Sequence, residues 1–83
     1  MGMTRTEIEH QMESVFKKVA PEIEFKKLDP NRPLFIQVEI DSYDFMTILT
    51  QLEANLGIRV PDSVVRDLPN INALLDYLEQ HSK

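Results

Sequence analysis

The chain has 83 residues, of which 42% are hydrophobic and 28% are charged, a balance that predicts one globular domain over residues 1–83. Its net charge of −5 argues against DNA or RNA as a partner, because binding a polyanion requires a basic face. The sequence contains no cysteine, which excludes disulfides and thiolate metal sites.

A first helix is predicted over residues 4–19. Thr4 or Thr6 can cap its N-terminus, and its apolar side chains recur mostly three and four residues apart, which places them on one face. Pro21 ends the helix because a proline pushes the preceding residue out of helical geometry. The apolar face comprises Ile8, Met12, Val15, Phe16 and Val19.

Residues 21–40 are predicted to form a long ordered connection without a helix. Pro21, Pro30 and Pro33 interrupt helical propagation, and a loop of about 20 residues in a small domain tends to be functional. The partial alternation of residues 34–40 also permits a strand, but a single strand would have no partner. We therefore expect an apolar loop that lies across the helices.

A second helix is predicted over residues 42–56, followed by a short third helix over residues 63–68. Asp41 is placed to cap the second helix, with Asp44 in an arrangement like a capping box, and Gly57 is expected to end it in the left-handed conformation. The core face of the second helix comprises Phe45, Ile48, Leu49, Leu52 and Leu56.

The final helix is predicted over residues 70–80, with Asn70 as its cap. Asp62 is a candidate cap for the short third helix, which Pro69 ends. Three main helices and a short one predict an all-α fold, a small four-helix bundle with a long loop between helices 1 and 2. The apolar face of the final helix comprises Ile71, Leu74, Leu75 and Leu78.

Asp41 and Ser42 follow the long loop and begin an amphipathic helix. Capping alone explains this pair, since both residue types are favoured at helix starts. In its wider context the pair resembles the acyl carrier protein family, which has an Asp-Ser-Leu motif at the start of its second helix. The resemblance extends to residues 52–62, which are similar to the family's helix end and Ile/Val-Pro-Asp/Glu turn, and to residues 74–78 of the final helix.

The resemblance implies a carrier that is not an enzyme and has no catalytic residue. Ser42 is implied as the attachment point for a 4'-phosphopantetheine arm from coenzyme A, and Asp41 as part of the motif that a phosphopantetheinyl transferase recognises. A helix N-terminus suits the resulting phosphodiester because its unpaired N–H groups and its dipole favour an anion. The thiol of the arm would carry acyl groups as thioesters.

The resemblance also implies where partners and cargo contact the chain. Acyl-loading and acyl-transfer enzymes with basic patches would contact Tyr43, Asp44 and Glu53, because opposite charges speed the encounter. An acyl chain would pass between the helices, although the same apolar side chains are also explained as ordinary core. The candidate lining residues are Phe45, Met46, Leu49, Val60, Ile71 and Leu75.

Several positions depart from the family pattern. Tyr43 stands where leucine is usual, and Ile40 stands where many relatives have glycine. Thr47, Thr50 and Ala54 occupy positions that are often acidic or methionine in fatty-acid carriers. The acidic recognition face is therefore thin, which favours a specialised lipid, fatty acid or secondary-metabolite pathway. Fatty acyl, polyketide, amino acid and aryl cargoes are all compatible with the sequence.

The alternative function is a helical adaptor that binds a protein through its acidic helix and carries no prosthetic group. No metal site is predicted, since His10 and His81 lie near opposite ends of the chain without companion ligands. No apolar run approaches the roughly 20 residues that span a bilayer, and no cleavable signal peptide is visible. We therefore expect a cytoplasmic monomer without a membrane span.

Overall fold

Five α-helices form the regular structure of residues 3–82, the part of the chain that this computed structural model describes. Within that range no strand is present, which confirms the predicted all-α fold. Residues 1, 2 and 83 of the predicted domain lie outside the described residues. The helices are α1 (Arg5–Val19), α2 (Leu34–Gln37), α3 (Ser42–Leu56), α4 (Asp62–Val65) and α5 (Ile71–His81), with a 3₁₀ turn at Phe25–Lys27.

Two side-chain caps and a left-handed glycine each fix one end of a long helix. Thr4 begins α1 with a full capping box: its hydroxyl accepts from the Glu7 N–H at 3.2 Å, and the Glu7 carboxylate accepts from the Thr4 N–H at 2.8 Å. Asn70 caps α5 by accepting from the Ala73 N–H at 2.8 Å. Gly57 ends α3 with a left-handed φ of 66°, as its sequence position predicts.

The long helices bury one apolar interior. Helix α1 packs against both α3 and α5, so it links the other two long helices. The predicted apolar faces are buried except at Val19 and Leu56, which are half-buried. Less than 2% of the residue surface is exposed for Phe16, Ile8, Met12, Ile48, Leu52 and Leu78. Helix α3 is therefore anchored on one side and presents its other side to solvent.

The connection between α1 and α3 contains helical segments, so the prediction of a loop without a helix was wrong. Phe25–Lys27 forms a 3₁₀ turn, and α2 stands where a strand was the other possibility. Pro33 is the N-cap of α2, a position where its missing N–H costs no helical hydrogen bond. The helical turn also pairs backbone groups that a lone strand would leave unpaired.

Backbone hydrogen bonds attach this connection to the corner between α4 and α5. The Leu34 N–H donates to the Pro69 carbonyl at 3.0 Å, and the Asn72 N–H donates to the Pro30 carbonyl at 3.0 Å. The Leu34 side chain is itself buried. These contacts hold α2 close to the start of α5.

Helix α4 is shorter than predicted and begins one residue earlier. It covers Asp62–Val65 in place of residues 63–68. Pro61 is its N-cap, and no side chain caps it, so the prediction that Asp62 is the cap was wrong. The Pro61 carbonyl accepts from the Val64 N–H at 2.9 Å and from the Val65 N–H at 3.1 Å, which places Asp62 inside the first turn.

Candidate functional site

Ser42 is the first residue of α3, and its side chain is exposed. Asp41 is the N-cap: its carboxylate accepts from the Asp44 N–H at 2.7 Å, and its carbonyl accepts from the Phe45 N–H at 3.1 Å. Only this half of the predicted capping box is formed, because the Asp44 carboxylate makes no return bond to the Asp41 N–H among the described residues. The cap nevertheless holds Ser42 in the first helical turn.

The start of α3 can accommodate an anion attached to the Ser42 Oγ. The first N–H groups of a helix have no acceptor within the helix, and the Asp41 carboxylate occupies only that of Asp44. The N–H groups of Ser42 and Tyr43 therefore stay available at the positive end of a 15-residue helix. The Asp41 carboxylate is an anionic neighbour, but its exposure to water and salt screens the repulsion.

The three side chains predicted to contact partners have different surroundings. Tyr43 is exposed directly beside Ser42, and Asp44 is half-buried in the same turn. Glu53 lies roughly 14 Å from Asp44 along the helix axis. Its carboxylate accepts from the Val60 N–H at 2.7 Å, which joins α3 to the segment that follows it. Glu53 thus has a structural contact that was not predicted, and it forms no continuous acidic face with Asp44.

Five of the six candidate acyl-lining residues lie in the core, and Met46 is exposed. Phe45 and Ile71 line a cleft of about 10 Å³, which is room for about one water molecule. Ile71 and Leu75 also border a wider groove of about 520 Å³ beside α1. Of these two openings, the one with room for an acyl chain is therefore bordered by two of the six candidates, Ile71 and Leu75. The buried members are Phe45, Leu49, Val60, Ile71 and Leu75.

Helix α2 adds two exposed apolar side chains near the start of α3, which sequence reasoning missed. Phe35 packs edge-on against Phe45, with ring centroids 5.2 Å apart, and Ile36 follows it in the chain. Both side chains are exposed despite their size. The signal in the sequence was Pro33 directly before an apolar run, because a helix start tolerates proline.

Residues 10–78 match the protein family described as the phosphopantetheine attachment site. The match covers more than half of the chain and includes Ser42 together with all of α3. This chain belongs to the phosphopantetheine-attachment family of acyl carrier proteins. The family resemblance predicted from the sequence is therefore confirmed.

Individual acyl carrier proteins show the extent of the similarity. The protein from Cyanidioschyzon merolae is 25% identical over 81 residues, which cover 98% of this chain and 88% of that protein. The protein from Micrococcus luteus is 26% identical over 53 residues, which cover 64% of this chain and 65% of that protein. The chain thus spans just under two thirds of the Micrococcus relative.

A solved structure of an acyl carrier protein from Enterococcus faecalis has the same fold. It superposes with a TM-score of 0.73 at 23% identity and covers 96% of this chain and 100% of that one. Across residues 3–82, no group of three or more His, Asp or Glu side chains is arranged to hold a metal ion. The helices in that range are all too short or too polar to cross a bilayer.

Proposed function

We propose that this chain is an acyl carrier protein that carries thioester-linked acyl groups on a 4'-phosphopantetheine arm at Ser42. The observation that supports this most is an exposed serine hydroxyl at the first position of a 15-residue helix, within a region that matches the attachment family. The chain has no cysteine, and the arm supplies the thiol that holds the cargo.

Attachment is a phosphoryl transfer in which the Ser42 Oγ is the nucleophile. The oxygen bonds to the coenzyme A phosphorus that bears the pantetheine, and the bond from that phosphorus to the second phosphate breaks. Adenosine bisphosphate leaves, and the serine proton passes to a base of the phosphopantetheinyl transferase, which also holds the Mg²⁺. The contribution of this chain is an accessible oxygen in a fixed position.

Asp41 positions that oxygen. Its carboxylate bond to the Asp44 N–H at 2.7 Å fixes the first turn of α3, so Ser42 has a helical backbone and not that of a flexible loop. The first-turn N–H groups then lie close to the new phosphodiester and stabilise its negative charge. Recognition of Asp41 by the transferase is the second role that the family pattern implies for it.

The proposed protein is a cytoplasmic monomer that acts as a carrier and not as a catalyst. Its partners are a phosphopantetheinyl transferase and the enzymes that load or accept acyl groups. The uncharged residues Thr47, Thr50 and Ala54 on α3 support a specialised lipid, fatty acid or secondary-metabolite pathway, because they leave few acidic groups for a basic partner. Cargo reaches the core near Phe45 only after the side chains around the small cleft separate.

Intact mass spectrometry tests the proposal directly. After incubation with coenzyme A, Mg²⁺ and a broad-specificity phosphopantetheinyl transferase, the wild-type chain should gain one phosphopantetheine, and Ser42→Ala should gain none. Ser63→Ala is the matched control, because Ser63 is also an exposed serine that follows an aspartate in a helix. A wild-type chain left unmodified by several such transferases would favour an adaptor without a prosthetic group.

A further inference from the structure

Residues 30–34, which we call the strap, are bonded to residues on both sides of Ile71 at the start of α5. The Asn70 side-chain amide donates to the Asn31 carbonyl at 3.2 Å, and the Asn72 side-chain amide donates to Asn31 Oδ1. Two backbone bonds between the strap and the same corner add to these side-chain bonds. The strap therefore crosses α5 at Ile71.

Asn72 is the centre of a polar chain that connects three segments of the fold. Its side-chain oxygen accepts from Arg5 Nη2 at 2.9 Å, and its side-chain nitrogen donates to Asn31. Arg5 is the first residue of α1, and its guanidinium also pairs with Asp76 and Glu79 of α5. We call the side chains of Arg5, Asn31 and Asn72 the latch. Because Asn72 uses both ends of its amide, replacing this one residue breaks both bonds within the latch.

The strap and Ile71 stand between two openings in the protein surface. Ile71 borders both the cleft of about 10 Å³ and the groove of about 520 Å³. Leu34 at one end of the strap borders the cleft, and Pro30 at the other end borders the groove. The cleft also reaches Phe45, which lies three residues after Ser42. Release of the strap would therefore join the start of α3 to the groove, whose volume is in the range that encloses small ligands.

We propose that the strap is a lid fastened by the latch, and that an acyl chain attached to Ser42 releases it and occupies the space that joins the cleft to the groove. This inference rests on the proposed carrier function, which supplies the chain. Each buried methylene favours the occupied state roughly fourfold, and each hydrogen bond of the strap opposes release roughly two- to tenfold. An octanoyl chain therefore offsets several of these bonds, whereas an acetyl group does not. The lid thus responds to the length of the cargo.

Amide hydrogen exchange measured by NMR on the wild-type chain tests the lid. Acetyl-coenzyme A and octanoyl-coenzyme A, each with Mg²⁺ and a broad-specificity phosphopantetheinyl transferase, give two proteins that differ only in chain length. The octanoyl protein should exchange the Leu34 and Asn72 N–H groups about tenfold faster than the acetyl protein, because both groups lose their acceptors when the strap is released. The Leu52 N–H within α3 should differ by less than about twofold and is the internal control. Equal exchange at Leu34 in the two proteins would overturn the inference.

Asn72→Ala tests the latch in the unmodified chain. This replacement removes both bonds of the Asn72 side chain and should speed exchange of the Leu34 N–H about five- to tenfold. Asn55→Ala is the matched control, because Asn55 is an exposed asparagine of α3 and the same replacement raises helix propensity equally. It should keep the wild-type exchange at Leu34. Wild-type exchange at Leu34 in Asn72→Ala would show that the latch does not fasten the strap, which also overturns the inference.

The two experiments distinguish a failure of the lid from a failure of the carrier function. A chain that accepts both arms and exchanges Leu34 alike with either contradicts the lid alone. A wild-type chain that accepts neither arm contradicts the carrier function and, with it, the acyl chain as the trigger. The Asn72→Ala experiment needs no prosthetic group, so it tests the latch in either case.

Discussion

Two helices of this chain begin at an Asp-Ser pair, and the two pairs have different surroundings. Asp41 caps α3, which has 15 residues and buries four of them. Asp62 and Ser63 lie inside α4, which has 4 residues, buries none, and follows Pro61 without a side-chain cap. The dipeptide alone therefore does not distinguish a functional serine. Ser42 differs from Ser63 because a long, capped helix anchored in the core holds it in place.

The difference extends to the chemistry that each serine can support. The aligned peptide dipoles of α3 create a positive end at Ser42, and a helix of one turn provides much less of this field. The large exposed apolar side chains of the described residues also lie within seven sequence positions of Ser42, and none is that near to Ser63. We therefore expect an attached anion to be stabilised at Ser42 more than at Ser63.

The largest expected difference between α3 and α4 is the loss of stability when an apolar side chain of each helix is shortened. Leu49→Ala should lower the free energy of unfolding by about 2–5 kcal/mol, because Leu49 is buried and its removal leaves a cavity. Val64→Ala on α4 should cost about 1 kcal/mol or less, since Val64 is only half-buried. Urea denaturation measures both values. Equal losses would mean that the two helices are anchored alike.

The end of α3 should be the next most sensitive position. Gly57→Ala should cost roughly 1–2 kcal/mol, because an alanine is strained in the left-handed conformation. The φ of Gly57 is 66°, and no atom lies within 4 Å of a Cβ added there, so the loss arises from the backbone alone. Gly57→Asn should lose less in the same denaturation experiment. Wild-type stability in Gly57→Ala would argue against the left-handed end.

Replacing Asp41 or Asp62 should change the free energy of unfolding by smaller amounts, which differ between the two positions. Asp41→Ala should lower the free energy of unfolding by about 1 kcal/mol, because the Asp44 N–H loses its acceptor. Asp62→Ala should change it by less than about 0.5 kcal/mol, since Asp62 caps no helix. Asp41→Asn keeps an acceptor oxygen and serves as the control. A cost for Asp62→Ala as large as that for Asp41→Ala would be inconsistent with these positions.

The contribution of the α1 cap to stability should depend on pH, and this should be the smallest of the expected effects. The pKa of Glu7 lies below its ordinary value of 4.5, chiefly because its carboxylate accepts from the Thr4 backbone N–H and also because of the Thr4 side chain. A lowered folded-state pKa means that the ionised carboxylate stabilises the fold above the ordinary value, and that this contribution disappears as the pH falls through the folded-state pKa. The stability advantage of wild type over Glu7→Gln should therefore shrink upon acidification. Thermal unfolding measured at a series of pH values tests this. An advantage that grew as the pH fell would contradict the role of the ionised Glu7 carboxylate in the cap.

Local signals were sufficient to predict α3 and most helix ends. Asp41 and Asn70 act through bonds to residues three positions away, and Gly57 acts through its own backbone. Such roles need no knowledge of tertiary structure. The apolar face of each long helix likewise depends only on the spacing of its residues, which is why nearly all of those side chains are buried.

The features that were not predicted depend on contacts between distant segments. Helix α2 forms where the Leu34 N–H binds the Pro69 carbonyl, a contact that residues 21–40 do not encode by themselves. The bond between Glu53 and Val60 requires the chain to turn back beyond Gly57. Met46 lies beside the buried face of α3, and the packing of the neighbouring segments decides how exposed it is.

Whether the Ser42 Oγ is the oxygen that receives the arm can be decided by locating the modification. The chain has four serines, Ser14, Ser42, Ser63 and Ser82, so tandem mass spectrometry of peptides from the modified wild-type protein distinguishes them. We expect phosphopantetheine on Ser42 alone, with Ser63 unmodified. An arm found on Ser63, or one that persists in Ser42→Ala, would show that the start of α3 is not the attachment site.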